Sequence, residues 1–354
     1  IWAKEYYQQK SLIDFSVNIN PLGCSKNVLH SITNNLTLIQ EYPDPECRLL
    51  KKELSLYYNI NDEHISLGNG ASELLFLLCL AISPKRVLTL APSFSEYIKS
   101  AKASGALVDE LVLSEKKDFC LEIDVLKDKL LNYDLFFLCN PNNPVGNIYS
   151  GKFVKEIADL CYKYKTYLLV DESFMDFVKN KDKFSILSEV RYNPYLIVLC
   201  SLTKFFALPG LRLGCSFASK ELVERIKEIK DPWNVNSFAQ LAGMVSLQDK
   251  AFQNKSIDYI SKEKERLYQE LNKISSIKTY YPSVNFILLK ILTQNLTSGD
   301  IALQLATKGI LVRNCNTFAG LGEKFIRVAV RRKEDNNLLI DALRGVFKAG
   351  GKSD

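Results

Sequence analysis

Ser201-Leu202-Thr203-Lys204, followed by Pro209-Gly210-Leu211-Arg212-Leu213-Gly214, puts a lysine just past the apolar run Leu196–Cys200. A lysine there can be desolvated. Desolvation lowers its pKa towards the neutral amine that condenses with a carbonyl to form a Schiff base. Ser201 and Arg212 are placed to hold a phosphate, the arginine through a bidentate charged pair. Three more signals fall close to apolar runs. Asp171 closes one of them in Val170-Asp171-Glu172-Ser173-Phe174. Asn140-Pro141-Asn142-Asn143-Pro144-Val145-Gly146 sets two Asn-Pro units in a rigid turn, where a cis bond can occur. Gly68-Asn69-Gly70-Ala71-Ser72-Glu73 opens a helical pattern whose free N–H groups form a phosphate cradle. Read singly, each has an ordinary counterpart: a surface lysine, an N-cap aspartate, a plain loop, a glycine turn. What joins them is their position at strand ends, where open α/β sheets bind ligands.

The elements that must position these residues are legible as alternating patterns. Nearly continuous apolar runs predict buried parallel strands at Arg86–Leu90, Leu135–Cys139, Tyr167–Val170, Leu196–Cys200 and Leu213–Ala218. Helical patterns lie between them over 46–58, 72–81, 95–104, 151–164 and 220–229, with Ser72 a candidate N-cap. This alternation predicts an α/β fold with a doubly wound sheet. After about Asp231 the rhythm changes. Helices are expected over 237–247, 256–274, 300–308 and 334–347, with strands at Asn285–Lys290 and Phe325–Val330, as in a smaller α+β domain. Residues 1–40 read as a mostly irregular arm packing with the small domain, 41–235 as the large domain and 236–354 as the small C-terminal domain.

Composition narrows the class. The chain has 354 residues, 47% hydrophobic and 24% charged, enough for large cores and against disorder. Its net charge of +6 is spread without a run of five or more basic residues, which disfavours nucleic acid and suits small anionic substrates or an ordinary lysine-rich surface. None of the nine cysteines forms a CxxC pair, and several lie in apolar runs, so reduced buried thiols in the cytoplasm are expected. No metal site is expected, because only His30 and His64 could add nitrogen ligands. There is no stretch of 18 apolar residues, so no membrane span is expected, and no signal peptide is visible. Because the chain opens at Ile1 rather than Met, its native start is expected to be missing.

Together, S-L-T-K with P-G-L-R-L-G, N-P-N-N-P-V-G and D-E-S-F resemble fold-type I enzymes that depend on pyridoxal 5′-phosphate (PLP), the aspartate-aminotransferase fold. The similarity runs from Asp14 to about Leu343. It implies that Lys204 carries the cofactor as a Schiff base and acts as acid and base. It implies that Asp171 pairs with the pyridine nitrogen, keeping the ring an electron sink, and that Asn143 bonds the ring oxygen. Gly70, Ala71, Ser72, Ser201 and Arg212 would hold the phosphate, and Phe94 would stack on the ring. Tyr42 would reach the partner's cofactor, which implies a homodimer. Arg327 would bind the substrate carboxylate, with Asn20 and Arg331 helping to orient it. Arg313 and Arg331 are candidates for a substrate phosphate, and Arg332 is read as a solvated charge.

Within that superfamily the chain resembles both the histidinol-phosphate aminotransferases and the threonine-phosphate decarboxylases of cobalamin biosynthesis. Three segments favour the decarboxylases: Asp14-Phe15-Ser16-Val17-Asn18-Ile19-Asn20-Pro21-Leu22-Gly23, Arg313-Asn314-Cys315-Asn316-Thr317-Phe318-Ala319-Gly320-Leu321, and Arg331 where the aminotransferases usually have glycine. Phe174 also departs from the aminotransferase tyrosine. The resemblance thus implies decarboxylation of L-threonine O-3-phosphate, or of L-serine O-phosphate, for the cobamide nucleotide loop. The two substrates differ by one methyl group, worth only ~1–3 kcal/mol of discrimination. The alternative is an aminotransferase acting on histidinol phosphate or a related amino acid. A PLP-binding transcription factor is a third reading, but the segment before Tyr42 lacks a helix-turn-helix pattern.

Overall fold

The computed structural model describes residues 12–350, with side chains to Lys348. The start of the expected arm and the last residues of the expected small domain lie outside the described residues. The arm enters as a short strand, β1 (Ile13–Asp14). The main sheet has seven strands: β2 (Ile65–Asn69), β3 (Arg86–Ala91), β4 (Leu107–Val112), β5 (Leu135–Cys139), β6 (Tyr167–Asp171), β7 (Leu196–Ser201) and β8 (Leu213–Phe217). Their spatial order is β2-β8-β7-β6-β5-β3-β4.

Side chains alternate across this sheet, as the pleat requires. Along β5, Leu135, Phe137 and Cys139 join a core that includes Leu74 and Leu78 of helix Ala71–Ile82 and Leu222 and Ile226 of helix Lys220–Ile229. Phe136 and Leu138 join the opposite core, with Val154 and Ile157 of helix Gly151–Tyr164. Both faces of the central strands are covered, which explains their unbroken apolar runs.

One expected parallel strand is corrected. The strand expected at Leu213–Ala218 is β8, which runs antiparallel to both β7 and β2. The segment 202–212 is too short for the helical crossover that parallel neighbours need, so the chain turns straight back. β2 and β4 are additions to the expected set. β4 forms the sheet edge, with Leu107 and Val112 exposed and Asp109 and Glu110 interrupting its apolar pattern.

Beyond helices Ser237–Gln248 and Lys250–Asn272, a four-stranded antiparallel sheet follows, in the order β12-β13-β10-β9. Its strands are β9 (Ile277–Thr279), β10 (Phe286–Ile291), β12 (Arg313–Asn314) and β13 (Phe325–Ala329), while β11 (Ile310–Leu311) pairs in parallel with β1 of the arm. A second core gathers Leu267, Ile287, Leu289, Ile326, Val328 and Leu343 around Phe15 of the arm. Helix Ser237–Gln248 instead contributes Ala239, Ala242 and Leu247 to the large core. The arm is less irregular than expected. Lys26–Asn34 is a helix, capped by Ser25 Oγ accepting from Asn27 N–H. Only Val28 on it is fully buried, so its apolar stripe is too thin to read from sequence.

Candidate active site

The C-terminal ends of β5, β6 and β7 open into one cavity of about 360 Å³, where ligands bind in such sheets. Ala71, Ser72, Phe94, Asn143, Asp171, Ser201, Lys204, Arg212, Arg313 and Arg327 all line it. Segments far apart in sequence therefore meet as the motifs predict.

One end is built by backbone approach. Helix Ala71–Ile82 starts at the cavity without a side-chain cap, so its first N–H groups are open to a ligand. Gly70 precedes it at φ +82°, and a Cβ there would meet Arg212 Nη2 at 2.4 Å. On β8, a Cβ at Gly214 would meet Ala71 N at 2.4 Å. The two glycines let strand, helix start and guanidinium converge. Gly70 itself does not line the cavity; it makes room for Arg212. With Ser72 and Ser201, this is a cradle for a phosphate dianion.

Lys204 sits on the short helix Leu202–Phe205 directly after β7. Its pKa is lowered, first by burial and then by the Arg327 and Arg212 charges, with Asp171 opposing. At the end of β6, Asp171 is 5% exposed. Its Oδ1 accepts from Ser173 N–H at 2.9 Å and its Oδ2 from the Tyr97 hydroxyl at 2.7 Å. Burial raises its pKa, while those hydrogen bonds and Lys204 favour the anion. Both Asn-Pro bonds of the turn, Asn140–Pro141 and Asn143–Pro144, are cis, as is Ala91–Pro92 just before Phe94. The donor set fits PLP: a phosphate cradle, a depressed lysine, a buried carboxylate and an aromatic wall at Phe94.

At the other end, Arg327 of β13 crosses from the small sheet to the large. Its guanidinium donates to Asn143 Oδ1 and, at 2.7 Å, to Ser16 O of the arm. Its Nε is buried without a partner, and burial lowers its pKa to about 10. Arg313 of β12 donates to Thr317 Oγ1 at 2.9 Å and lies over the Phe318 ring.

Three expected residues stand elsewhere. Asn20 does not line the cavity; its Nδ2 donates to Phe205 O and Ser256 Oγ, both at 2.8 Å, and its Oδ1 accepts from Leu22 N–H. It ties the arm behind Lys204, whose carbonyl accepts from Asn20 N–H at 3.0 Å. Asn18 lines the cavity instead, with its Oδ1 buried and unpartnered. Ile19 N–H bonds Val17 O at 3.0 Å, a tight turn that separates the two asparagines. Arg331 is also outside the wall. Its guanidinium binds Asp335 at 3.1 Å and Asp14 O at 3.0 Å. Arg332 donates to Pro21 O. Tyr42 is 80% exposed, its ring tilted by 32° against Trp233 with centroids 4.6 Å apart, and it does not line its own chain's cavity. Ser16, Val17, Leu75, Ser95, Cys139, Ser173, Thr203 and Phe318 also line the wall, unforeseen as site residues. Phe318 was within reach, since it lies in the segment singled out after Arg313.

Comparison with known proteins agrees with this geometry. The aminotransferase class I and II family matches residues 10–343. The chain belongs to that family. Among curated aminotransferase relatives, threonine-phosphate decarboxylase of Salmonella typhimurium is 34% identical over 344 residues, covering 97% of this chain and 93% of that one. The adenosylcobalamin biosynthesis bifunctional protein CobDQ of Leptospira interrogans is 36% identical over 96% of this chain, which spans 39% of its length. Among solved aminotransferase-fold structures, histidinol-phosphate aminotransferase from Clostridium acetobutylicum superimposes with a TM-score of 0.88 at 33% identity, covering 95% of this chain and 99% of that one. The cofactor of this aminotransferase-family chain is PLP, and the large sheet with its strand-end lysine is the fold-type I arrangement.

Proposed function

We propose that the chain decarboxylates an O-phosphorylated amino acid, L-threonine O-3-phosphate or L-serine O-phosphate, for the nucleotide loop of cobalamin. The observation that carries this reading is a surplus of guanidinium. Arg212 serves the cofactor-phosphate cradle, yet Arg313 and Arg327 face the same cavity. Two further cations match a substrate bearing both a carboxylate and a phosphate. The named relatives support the choice of substrate and pathway.

When bound, PLP supplies an electron sink for the pair released from the substrate α-carbon. Lys204 would hold the cofactor aldehyde and later give a proton to that carbon; its lowered pKa suits both tasks. Asp171 would hold the ring nitrogen protonated. Asn143 would bond the ring oxygen, and Phe94 would stack on the ring. Ala71, Ser72, Ser201 and Arg212 would bind the phosphate, with Gly70 keeping space for Arg212. Arg327 would grip the substrate carboxylate, with Asn18 rather than Asn20 beside it, and fix the orientation of that group in the cavity. Arg313 would take the substrate phosphate. Phe174 lines the cavity where the aminotransferases have tyrosine, so it offers no hydroxyl.

Further parts of the reading concern organisation. A homodimer in which Tyr42 reaches the partner's cofactor phosphate is supported by the exposure of that ring. We read 1–40 as the arm, 41–235 as the large domain and 236–354 as the small domain, a division supported by the separate cores. A cytoplasmic location is supported by nine unpaired cysteines. Among the described residues, no helix is long and apolar enough to cross a membrane. Aminotransfer to a keto acid from histidinol phosphate is the second reading, favoured by the 33% identity to the Clostridium structure.

The deciding experiment is mass spectrometry of products after incubating enzyme and PLP with each phosphoamino acid. Aminopropanol phosphate or ethanolamine phosphate is expected, and the faster substrate identifies the branch. Keto-acid-dependent turnover of histidinol phosphate, with neither amine phosphate formed, would overturn the proposal.

A further inference from the structure

Tyr97, on helix Glu96–Ala103, has no accessible surface and is not part of the cavity wall. Its ring lies flat on Phe137 of β5, with centroids 5.0 Å and planes 9° apart, and meets the Phe94 ring edge-on at 5.7 Å. Phenylalanine would satisfy all of that packing. The hydroxyl is what needs explaining, since burying it costs free energy unless it finds an acceptor. Its acceptor is Asp171 Oδ2, at 2.7 Å.

We propose that Tyr97 is a positioning residue: its hydroxyl holds the Asp171 carboxylate in one orientation and in its anionic form, so that the proton shared with the cofactor's ring nitrogen stays on nitrogen. The inference rests on the assignment of Asp171 to that nitrogen. A hydrogen bond donated to the charged form of an acid stabilises that form. Against a burial that favours the acid, the Ser173 side chain, the Tyr97 hydroxyl, Ser173 N–H and the Lys204 charge all favour anionic Asp171. Cys139, paired beside Asp171 across β5 and β6, is itself pushed up by burial and by that carboxylate, so it brings no opposing charge. Burial first, and Asp171 second, hold the phenol's pKa well above its ordinary value, which keeps Tyr97 a donor at every working pH.

Without the Tyr97 hydroxyl, Asp171 keeps as hydrogen-bond donors only Ser173, through its side chain and N–H. Its carboxylate becomes more basic and freer to turn. The shared proton then moves from ring nitrogen to carboxylate, and the electron sink weakens. Through Phe94 the same residue touches the aromatic wall, so one buried side chain connects the two groups assigned to the ring's nitrogen and face.

The test is ¹⁵N NMR of ring-labelled PLP bound to the full chain, comparing wild type, Tyr97→Phe and Asp171→Asn, with thermal melting of each apoprotein. Wild type is expected to show a protonated ring nitrogen and Asp171→Asn a neutral one. Tyr97→Phe should shift the signal towards the neutral position and lose PLP on dialysis about tenfold faster, as expected for a lost charge-assisted bond. If Asp171→Asn moves the nitrogen signal and Tyr97→Phe leaves it at the wild-type position, the role of Tyr97 is refuted while that of Asp171 stands. If neither variant moves it, the assignment of Asp171 falls and the inference falls with it.

Discussion

The two ends of the cavity are built differently. The cofactor end rests on adjacent strands of one sheet: Asp171 closes β6, Ser201 closes β7, and Lys204 follows within one turn. Each side chain sits within a few residues of a strand paired on both sides, so the backbone is held before any ligand arrives. The opposite end is assembled from three separate pieces. Arg327 reaches from β13 to Asn143 of the large domain and to Ser16 of the arm, 184 and 311 residues away in sequence. Under the proposed roles, a rigid sheet would carry the chemistry that every substrate needs. A seam between arm, small sheet and large sheet would carry recognition, which a few substitutions can alter without disturbing the sheet.

The largest expected effect breaks the cofactor end. Lys204→Ala should lower turnover by about three orders of magnitude or more, since it removes both attachment and proton transfer. It should also abolish the visible absorbance of lysine-bound PLP while far-UV circular dichroism stays unchanged. Substantial residual turnover would sink the assignment.

Arg327→Ala should cost about 2–5 kcal/mol in kcat/KM, the usual range for truncating a buried hydrogen-bonded charge. PLP affinity should hardly change if the two ends are separable. Equilibrium dialysis beside steady-state kinetics checks this, and a parallel loss of PLP would mean that they are one unit.

A stability effect of similar size is expected at Glu172, the neighbour of Asp171. Burial pushes its carboxyl up to about 7, with Ser185 and Ile186 N–H opposing. The folded state therefore holds a proton that the unfolded chain releases near pH 4.5. Stability should fall as pH rises from about 4.5 to 7, by on the order of 3 kcal/mol, and then level off at higher pH. Melting temperature followed across this window should decline, and Glu172→Gln should flatten the decline. An unchanged slope in the variant would rule Glu172 out as its source.

Gly70→Ala sharpens the contrast further. The methyl group must displace Arg212 from the cradle and sit at φ +82°, a strain of about 1–2 kcal/mol. PLP affinity should drop about tenfold, with the KM for the phosphoamino acid little altered once the enzyme is saturated with cofactor. The smallest effect belongs to Arg331→Ala. Because its guanidinium binds Asp335 and Asp14 O, kcat/KM should stay within about twofold and the loss should appear as about 0.5–1.5 kcal/mol of stability. A loss of activity beyond tenfold would return Arg331 to the substrate site.

How far the sequence could be read follows the same division. Lys204, Asp171, Asn143, Ser201 and Arg212 were legible because each lies beside an apolar run that must be a central strand, and a strand end fixes where its next residues point. Asn18 and Asn20 were not separable. They share a two-residue spacing, and only the turn at Ile19 decides which one faces the cavity. Arg331 and Arg327 lie on one segment, yet their partners, Asp14 O and Ser16 O, belong to an arm more than 300 residues away. Sequence pattern by itself determined the α/β alternation and which motif residues stand at strand ends around one cavity, because burial periodicity is local. Tertiary structure alone decided the reversed direction of β8, the facing of Asn18 rather than Asn20 into the cavity and the pairing of Arg331 with Asp335 and Asp14 O. Those depend on which distant backbone groups remain to be satisfied once the cores have closed.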